Sequence, residues 1–408
     1  MQERVLNQIE QLRYEAVDLM KAIVPIKALG PLNDGTGETE KAEFLINYLK
    51  SIGITDIQEY PAPDNMVQGG ARPNIVARIA GQDRSKTIWI LAHLDVVPEG
   101  DLSKWDTDPW EAVVKGGKIF GRGTEDNHQG LVSGVMAAKA FKDLDIKPKF
   151  DLGVMLVSDE ETGSKFGLEY IVENHPELFG ENDMIIVPDA GEPDGSMIEV
   201  AEKSIVWLKM KTMGKQVHAS TPEKGINAFK AASNLAVRLD KLHETFNASD
   251  PVFDPPISTF EPTKKEANVP NVNTIPGDDI FYVDCRILPQ YSIEEVMQEV
   301  RDIADGVEKE FGVKIEISLA QKDQAAPPTP ADAPVVKALQ SAIRDVYKIE
   351  AKPMGIGGGT VAAIFRRAGF KAAVWSKIED MAHQPNEFCY IDNLVNDAKV
   401  FAHICMQD

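Results

Sequence analysis

The sequence predicts an α/β fold in which a main domain with a mostly parallel sheet carries an inserted βαββαβ domain of ferredoxin-like type. Strand-like apolar runs alternate with helical patterns up to about Asp189, and this alternation returns after Pro334. From Ser204 to Leu319 the order changes to strand, helix, strand, strand, helix, strand. A chain of 408 residues also exceeds the size at which one hydrophobic core keeps growing, so two domains are expected.

The first part of the chain supplies the elements of the main domain in order. A single amphipathic helix over 2–21 has apolar residues at Val5, Ile9, Leu12 and Val17. It is followed by a helix over 43–52, by strand-like segments at 54–59, 74–79, 88–91, 152–157 and 184–187, and by an alanine-rich helix over 131–144 after the glycine-rich turn 121–126. Short apolar runs of this kind are typical of strands that are buried on both faces, as in a parallel sheet.

The inserted domain has its own strands and helices. Strands are predicted near 204–213, 257–261, 279–288 and 313–319, and helices over 226–244 and 293–311. Ser292 and Glu295 have the spacing of a capping box, which supports the start of the second helix.

A proline-rich segment, 323–334, is typical of a domain boundary. After it, helices over 335–347, 361–368 and 393–403 and a strand over 372–375 resume the first pattern. The predicted main domain therefore contains residues 1–200 and 323–408, and the predicted inserted domain contains residues 201–322.

Charge and cysteine content limit the class of protein. The chain has 64 acidic and 43 basic residues and a net charge of -21, which argues against a nucleic-acid partner. Cys285, Cys389 and Cys405 lack the spacing of a disulfide framework or a zinc site, so free thiols in a reducing compartment are expected. The N-terminal segment does not resemble a signal peptide, and no apolar run approaches the ~20 residues that span a bilayer. A cytoplasmic protein without a membrane partner is expected.

Residues that can bind metals follow the predicted strands. His93 and Asp95 come at the end of one strand, Glu160 and Glu161 follow a second, and Asp189 follows a third. Because the carboxyl ends of parallel strands share one edge of the sheet, these side chains are expected to meet there. Imidazole and carboxylate groups at one place predict a site for one or two divalent metal ions.

Asp126 and His383 complete the candidate ligands, although each candidate also has a structural explanation. Asp126 could cap the following helix, Asp189 could be a turn residue, and His383 could be a surface-loop histidine. The adjacent carboxylates Glu160 and Glu161 favour the metal site, because two charges at a strand end repel each other unless a cation is bound or a pKa rises.

These residues, in this order and spacing, resemble a known family. His93-Leu-Asp95, Gly121-Arg-Gly-Thr-Glu-Asp126, Asp159-Glu-Glu161-Thr-Gly and the Asp189 loop are similar to motifs of the co-catalytic zinc exopeptidases and deacylases. That family includes acetylornithine deacetylase, succinyl-diaminopimelate desuccinylase, aminoacylase, carboxypeptidase G and the carnosinase-type dipeptidases. The resemblance extends over almost the whole chain and implies a catalytic domain with an inserted lid and dimerisation domain.

The resemblance implies a role for each residue of the metal site. It implies two divalent metal ions, expected to be zinc, with manganese or cobalt as alternatives, and Asp126 as the ligand that bridges them. His93 and Asp189 would complete one site, Glu161 and His383 the other, while Asp95 would support the bridge and Glu160 would be the general base. The resemblance also implies a cis peptide bond between Asp126 and Asn127. His128 is interpreted as the first part of a helix and not as a ligand.

Motifs in the second half resemble the family's substrate-binding residues. His218 is similar to the lid histidine that, in dimeric members, reaches the partner subunit's active site and polarises the scissile carbonyl. Asn273 and Arg286 are similar to residues that hold the substrate, and the planar guanidinium of Arg286 suits a carboxylate. The residues that resemble the loop presenting backbone N–H groups to that carboxylate are Gly357, Gly358, Gly359 and Thr360. Without the resemblance, Arg286 would be interpreted as a residue at the surface of a strand.

The resemblance implies a hydrolase that cleaves an amide bond next to a free carboxylate. Asp189 is similar to the ligand of dipeptidase and tripeptidase members, which favours an exopeptidase acting on short peptides. The alternative is an N-acyl amino acid deacylase of the acetylornithine deacetylase or desuccinylase type. A homodimer through the lid is implied by His218. A non-catalytic small-molecule binding protein is less favoured, because every expected ligand and base position is filled. A structural interaction protein is less favoured still, because it gives no reason for the paired carboxylates.

Overall fold

The computed structural model describes residues 1–407 and divides into two compact units. The first unit contains Met1–Val200, Thr329–Pro353 and the C-terminal segment from Thr360, and the second contains Ala201–Pro328 and Met354–Gly359. The predicted mixed α/β fold class is confirmed.

The first segment of the chain contains both helices and strands. Its helices are α1 (Gln2–Gln11), α2 (Arg13–Ile23), α3 (Thr39–Ser51), α4 (His128–Asp143) and α5 (Leu168–Asn174). Its strands are β1 (Ile57–Glu59), β2 (Ala62–Pro63), β3 (Ala71–Arg72), β4 (Ile75–Ile79), β5 (Asp83–His93), β6 (Val113–Lys115), β7 (Lys118–Phe120), β8 (Phe150–Val157), β9 (Met184–Val187) and β10 (Met197–Glu202). The prediction of one N-terminal helix is wrong, because the backbone at Leu12, with ψ 0°, separates α1 from α2.

The remaining elements include the predicted ones together with four short strands that were not predicted. Next along the chain are β11 (Ser204–Met213), β12 (Val217–His218), α6 (Ala228–Arg238), α7 (Lys241–Thr245), β13 (Thr259–Lys265), β14 (Thr274–Ile275), β15 (Asp278–Ile287), α8 (Ile293–Phe311) and β16 (Lys314–Asp323). The chain then forms α9 (Pro334–Tyr347), β17 (Lys352–Ile356), α10 (Ala362–Arg367), β18 (Ala372–Val374), β19 (Phe388–Tyr390) and α11 (Ile391–Ile404). The strands that were not predicted are β12, β14, β17 and β19, and the helix predicted over 226–244 is divided into α6 and α7.

The main sheet has eight strands in the order β1-β4-β8-β5-β9-β18-β10-β17. Its central strands β8, β5, β9 and β18 are parallel to one another, whereas β4 runs antiparallel to both β1 and β8, and β10 runs antiparallel to β18. Strands β8 and β9 are buried throughout, as their continuous apolar runs predict. The carboxyl ends of β5, β8 and β9 therefore lie side by side.

The second unit is built on a four-stranded antiparallel sheet in the order β13-β15-β11-β16. Alternate residues of β15 (Phe281, Val283, Cys285 and Ile287) are buried in one core with apolar residues of α6 and α8. The capping box predicted at the start of α8 is present, since the Ser292 side chain accepts from the Glu295 N–H and the Glu295 carboxylate accepts from the Ser292 N–H.

The second unit extends beyond its predicted limit at residue 322. The hydroxyl of Ser204 accepts hydrogen bonds from the backbone N–H of Ala325 and the side-chain amide of Gln324, both at 2.9 Å. The segment Met354–Gly359 also belongs to this unit. Its Ile356 carbonyl accepts from the backbone N–H of Lys203 at 3.0 Å. Composition does not reveal these hydrogen bonds within the second unit.

Helix α4 fixes the position of the loop that precedes it. It is buried from His128 to Phe141 and packs against β5 and against α1, α2 and α11. His128 is its first residue, as interpreted from the sequence, and its Nε2 lies 2.7 Å from Nζ of the buried Lys41. His128 is therefore directed at α3 and belongs to neither ligand group described below. Among the described residues, no helix is long and apolar enough to cross a membrane.

Asp397 in α11 is a buried carboxyl with several hydrogen-bond donors. It accepts from the hydroxyl of Tyr347 at 2.7 Å, and from the hydroxyl of Ser376 and the amide of Gln129 at 2.8 Å. Burial outweighs these donors and raises the pKa of Asp397 from 3.8 to about 6. Because the folded protein holds this proton more tightly than the unfolded chain, the contribution to stability is complete below about pH 4 and is lost as the pH rises through about 6.

The substitution Asp397→Asn should remove this pH dependence. Between about pH 4 and pH 7, the wild-type protein should lose up to about 3 kcal/mol of unfolding free energy relative to the variant, since two pK units correspond to that energy. Urea unfolding of both proteins across this range measures the difference. If the unfolding free energies of the two proteins change equally with pH, Asp397 is not the source of this pH dependence.

Candidate metal centre

His93 is the last residue of β5, and its side chain is 1% exposed. Its Nδ1 lies 2.9 Å from the backbone carbonyl oxygen of Asp95, which can only accept, so the hydrogen is assigned to Nδ1. Its Nε2 faces two carboxylates, with Oδ1 of Asp126 at 3.0 Å and Oδ1 of Asp189 at 3.4 Å. The ring therefore presents Nε2 to the two acids that the sequence pairs with it.

Asp126 lies between the two candidate histidines. Its Oδ1 faces His93, and its Oδ2 lies 3.3 Å from Nε2 of His383. The peptide bond from Asp126 to Asn127 is cis, as the resemblance implies. The side-chain amide of Asn127 donates to the carbonyl of Pro188 at 2.7 Å and to the carboxylate of Asp189. The Asp126 and Asp189 loops are thus directly linked.

Glu160 and Glu161 lie in a short 3-10 turn after β8. The carboxylate of Asp95 accepts from the backbone N–H of Glu160 at 3.1 Å and of Glu161 at 3.0 Å, so Asp95 holds this turn. Glu161 reaches His383, with Oε2 and Nε2 3.0 Å apart. Glu160 places Oε2 3.9 Å from Nε2 of His93 and belongs to neither ligand group.

The five predicted ligands form two groups that share Asp126. Donor atoms of His93, Asp126 and Asp189 lie within 4.8 Å of one another, and so do those of Asp126, Glu161 and His383. Oε1 of Glu161 is buried and has no hydrogen-bond partner among the described residues, and a cation would satisfy it. Imidazole nitrogen and carboxylate oxygen are donors suited to zinc, manganese and cobalt. The residues therefore fit a pair of divalent ions.

The electrostatics of this centre also favour cations. Burial acts against a charged His93, yet hydrogen bonds to Asp126, Asp189 and Asp95 raise the pKa of His93 well above its usual value. Hydrogen bonds to Asp126 and Glu161 raise the pKa of His383 to about 10. Burial and the charge of Asp189 raise the pKa of Glu160 well above its usual value. The carboxylates thus create a strongly negative electrostatic potential, which favours bound protons when no metal is bound.

A buried arginine that was not predicted from the sequence holds the start of the turn that contains Glu160 and Glu161. Arg72 is 2% exposed, and it donates to both carboxylate oxygens of the fully buried Glu38. Its Nη1 lies 3.5 Å from carboxylate oxygens of Asp64 and Asp159. The Glu38 carboxylate also accepts from the backbone N–H of Asp159 at 3.3 Å. This network fixes the residue that immediately precedes Glu160.

His218, the predicted lid histidine, lies at the end of β12 in the second unit and is exposed. Its Nδ1 accepts from the backbone N–H of Ser220 at 3.2 Å and lies 2.7 Å from the Ser220 hydroxyl. The hydrogen is therefore assigned to Nε2, which makes this nitrogen a donor.

Arg286 and Asn273 also lie in the second unit, and both already have partners. Arg286 donates from Nε and Nη2 to the carboxylate of Asp284 at 2.8 and 3.0 Å, and from Nη1 to the Gly357 carbonyl at 2.7 Å. Since a guanidinium has five N–H donors, two remain for a ligand. The amide oxygen of Asn273 accepts from Asn271.

The predicted glycine loop is divided between the units. Gly357, Gly358 and Gly359 belong to the second unit, and Thr360 belongs to the first. A Cβ atom placed on Gly357 or Gly358 would meet nothing within 4 Å, so this backbone is open to a ligand.

The mostly parallel sheet gathers imidazole and carboxylate donors into two adjoining groups, and a further carboxylate lies beside them. This arrangement is typical of a metal-dependent hydrolase. Residues 89–407 match the family model described as Peptidase family M20/M25/M40. The chain therefore belongs to this family of metallohydrolases, and the resemblance found in the sequence is confirmed.

Individual relatives agree with this assignment. An uncharacterized metallohydrolase of Methanocaldococcus jannaschii is 44% identical over 96% of this chain and 98% of its own length. A succinyl-diaminopimelate desuccinylase of Sulfurovum sp. is 26% identical over 94% of this chain and 96% of its own length. The crystal structure of the aminopeptidase PepT of Bacillus cereus has the same fold, with a TM-score of 0.74 at 18% identity over 96% of this chain and 97% of that one.

Proposed function

We propose that this metallohydrolase is a dinuclear exopeptidase that cleaves the amide bond next to the free carboxylate of a short peptide. The observation that carries the proposal is the pair of ligand groups sharing Asp126, with Glu160 beside them but in neither group. Hydrolysis of an amide needs an activated water and a base that is not itself bound to the metal, and the position of Glu160 outside both groups supports this role for it.

The chain's own residues would divide the chemistry among them. Bound divalent ions would supply a water whose pKa is lowered toward about 7. Glu160 would take a proton from the attacking water and deliver it to the leaving amine. His218, with its hydrogen on Nε2, would donate to the oxyanion that develops on the carbonyl. Arg286 would bind the substrate carboxylate with its remaining N–H groups, helped by Asn273 and the glycine loop.

Three further features belong to the same proposal. The metal is zinc, with manganese or cobalt as alternatives, because the donor set suits each of them. The protein forms a homodimer through its second unit, so that His218 serves the partner subunit's site. It works in the cytoplasm, where a reducing environment suits the three buried free thiols. Zinc analysis, a sizing measurement and cell fractionation test these features separately.

Deacylation of an N-acyl amino acid is the second candidate activity, and the identity to a succinyl-diaminopimelate desuccinylase supports it. A panel of dipeptides and tripeptides, compared with N-acetyl and N-succinyl amino acids, separates the two activities when each is assayed with zinc, manganese and cobalt. Hydrolysis of peptides is expected. Turnover of the acylated compounds alone would exclude the peptidase proposal.

The substitution Arg286→Ala should raise KM for substrates with a free carboxylate. A hydrogen bond to a charged group contributes about 1.5 to 3 kcal/mol, so kcat/KM should fall by about 10- to 100-fold. Peptides whose terminal carboxylate is amidated provide the matched control, because they lack the group that Arg286 would bind. The variant should turn over amidated and free peptides with similar kcat/KM, and an equal loss on both substrates would remove Arg286 from this role.

A further inference from the structure

Two buried glutamates next to the metal ligands bind each other's loops. Glu125 immediately precedes Asp126, and Glu387 follows His383 within the same loop. Glu125 is 3% exposed and Glu387 is 0% exposed. Each carboxylate accepts backbone N–H groups from the loop that contains the other one.

Glu387 holds the loop that carries the shared ligand. One oxygen accepts from the backbone N–H of Glu125 at 2.9 Å and of Asp126 at 3.1 Å. The other accepts from the backbone N–H of Gly123 at 2.9 Å and from the guanidinium of Arg122 at 2.6 Å. The carboxylate is therefore fully occupied by donors, and moving it would leave several buried N–H groups without partners.

Glu125, in turn, accepts hydrogen bonds from the loop that carries His383. One of its oxygens accepts from the backbone N–H of Glu379 at 2.7 Å, and the other accepts from the backbone N–H of Met381. Both donors lie just before His383 in the chain. The carboxylate thus determines where this loop approaches Asp126.

The backbone of the His383 loop is irregular and enters the left-handed region three times. Asp380, His383 and Asn386 all have positive φ, at 59°, 63° and 60°. Among non-glycine residues, Asn, Asp and His adopt this left-handed region most often, and such conformations persist where surrounding contacts hold them. No helix or strand contains the loop, which ends where β19 begins at Phe388.

We propose that Glu125 and Glu387 are positioning residues that set the separation between Asp126 and His383 and so determine whether the second metal group can bind its ion. This inference rests on the proposed dinuclear site. It assigns unequal tasks to the two glutamates. Glu125 acts on the His383 loop, which serves only the group of Asp126, Glu161 and His383. Glu387 acts on the backbone of Asp126, which serves both groups.

The substitution Glu125→Gln tests the proposal without removing a metal ligand. An amide has one acceptor oxygen, and its NH₂ group would face a backbone N–H that needs an acceptor. We expect the first equivalent of zinc to bind as in the wild type and the second equivalent to bind about 10- to 100-fold more weakly, the usual effect of losing a group that orients a ligand. Calorimetric titration of metal-free protein with zinc alone, without substrate, measures both affinities.

Two further variants keep the test decisive. Glu125→Asp is the substitute if Glu125→Gln does not fold. It retains the charge but withdraws it by one methylene, so it should also weaken binding of the second equivalent of zinc. Asp151→Asn is the matched control, because Asp151 is 6% exposed and accepts from the Gly81 N–H and Arg84. It lies in β8 about 20 Å from the end of that strand, so both zinc affinities should be unchanged.

The outcomes separate this inference from the proposed function. Wild-type protein that binds fewer than two zinc ions would overturn the dinuclear site itself. Wild-type protein that binds two ions, with a Glu125→Gln variant that binds both equally well, would overturn only the positioning role. Loss of both equivalents in Glu125→Gln would also overturn it, because the assigned task concerns the second group alone.

Discussion

Replacement of Glu160 by glutamine should lower kcat by about 100- to 10,000-fold while the protein keeps its full metal content. The carboxylate lies 3.9 Å from Nε2 of His93 and outside both ligand groups, so its loss removes a proton acceptor and leaves the ligands in place. Steady-state kinetics and elemental analysis of the same preparation measure the two quantities.

Glu161→Gln is the matched comparison for this experiment. Glu161 is the neighbouring residue in the same turn, but its Oε2 faces Nε2 of His383 at 3.0 Å. This variant should lose metal as well as activity. A Glu160→Gln protein that retains more than about a tenth of wild-type kcat, or that loses metal as Glu161→Gln does, would remove Glu160 from its role as base.

The substitution Asp126→Ala should weaken the binding of both metal ions by about 100-fold or more and should reduce activity to the background rate. Loss of a residue that only orients a ligand already lowers metal affinity by about 10- to 100-fold. The two carboxylate oxygens of Asp126 face different histidines, at 3.0 Å from His93 and 3.3 Å from His383. Among the described residues, Asp126 is the member that the two groups share.

Asp189→Ala provides the contrast, because Asp189 belongs only to the group that contains His93. This variant should retain one ion. Titration with zinc and sizing of the folded protein compare the two variants with the wild type. An Asp126→Ala protein that still binds two ions would contradict the shared-ligand arrangement.

The convergence of three candidate ligands could be predicted because strand pattern and residue type agree at the same places. His93, Glu161 and Asp189 each follow an apolar run that forms a buried strand, and parallel strands bring such ends together. Asp126 and His383 are different, because neither directly follows a predicted strand. Residue type makes them candidate ligands, and the resemblance implies their roles in the site.

The supporting residues could not be predicted from local pattern. Arg72 and Glu38 form an ion pair from two distant segments, and no rule of spacing joins them. Glu125 lies inside a motif recognised for its neighbour Asp126, and Glu387 lies in no recognised motif. Most of the donors to these two carboxylates are backbone N–H groups, which every residue except proline possesses. The limits of the second unit were also hidden, since Gln324 and Ile356 belong to it through hydrogen bonds.

Strand β18 comes from the C-terminal segment, yet it lies between β9 and β10 in the main sheet. On the ribosome, the first unit therefore lacks an inner strand of its sheet until residues beyond Val374 have been synthesised. The second unit is almost entirely one continuous stretch, Ala201–Pro328, with a core of its own. It can therefore fold before the first unit is complete, although its residues are synthesised after Met1–Val200. His383 lies still further along the chain, so Asp126, Glu161 and His383 cannot come together until residues beyond His383 have been synthesised.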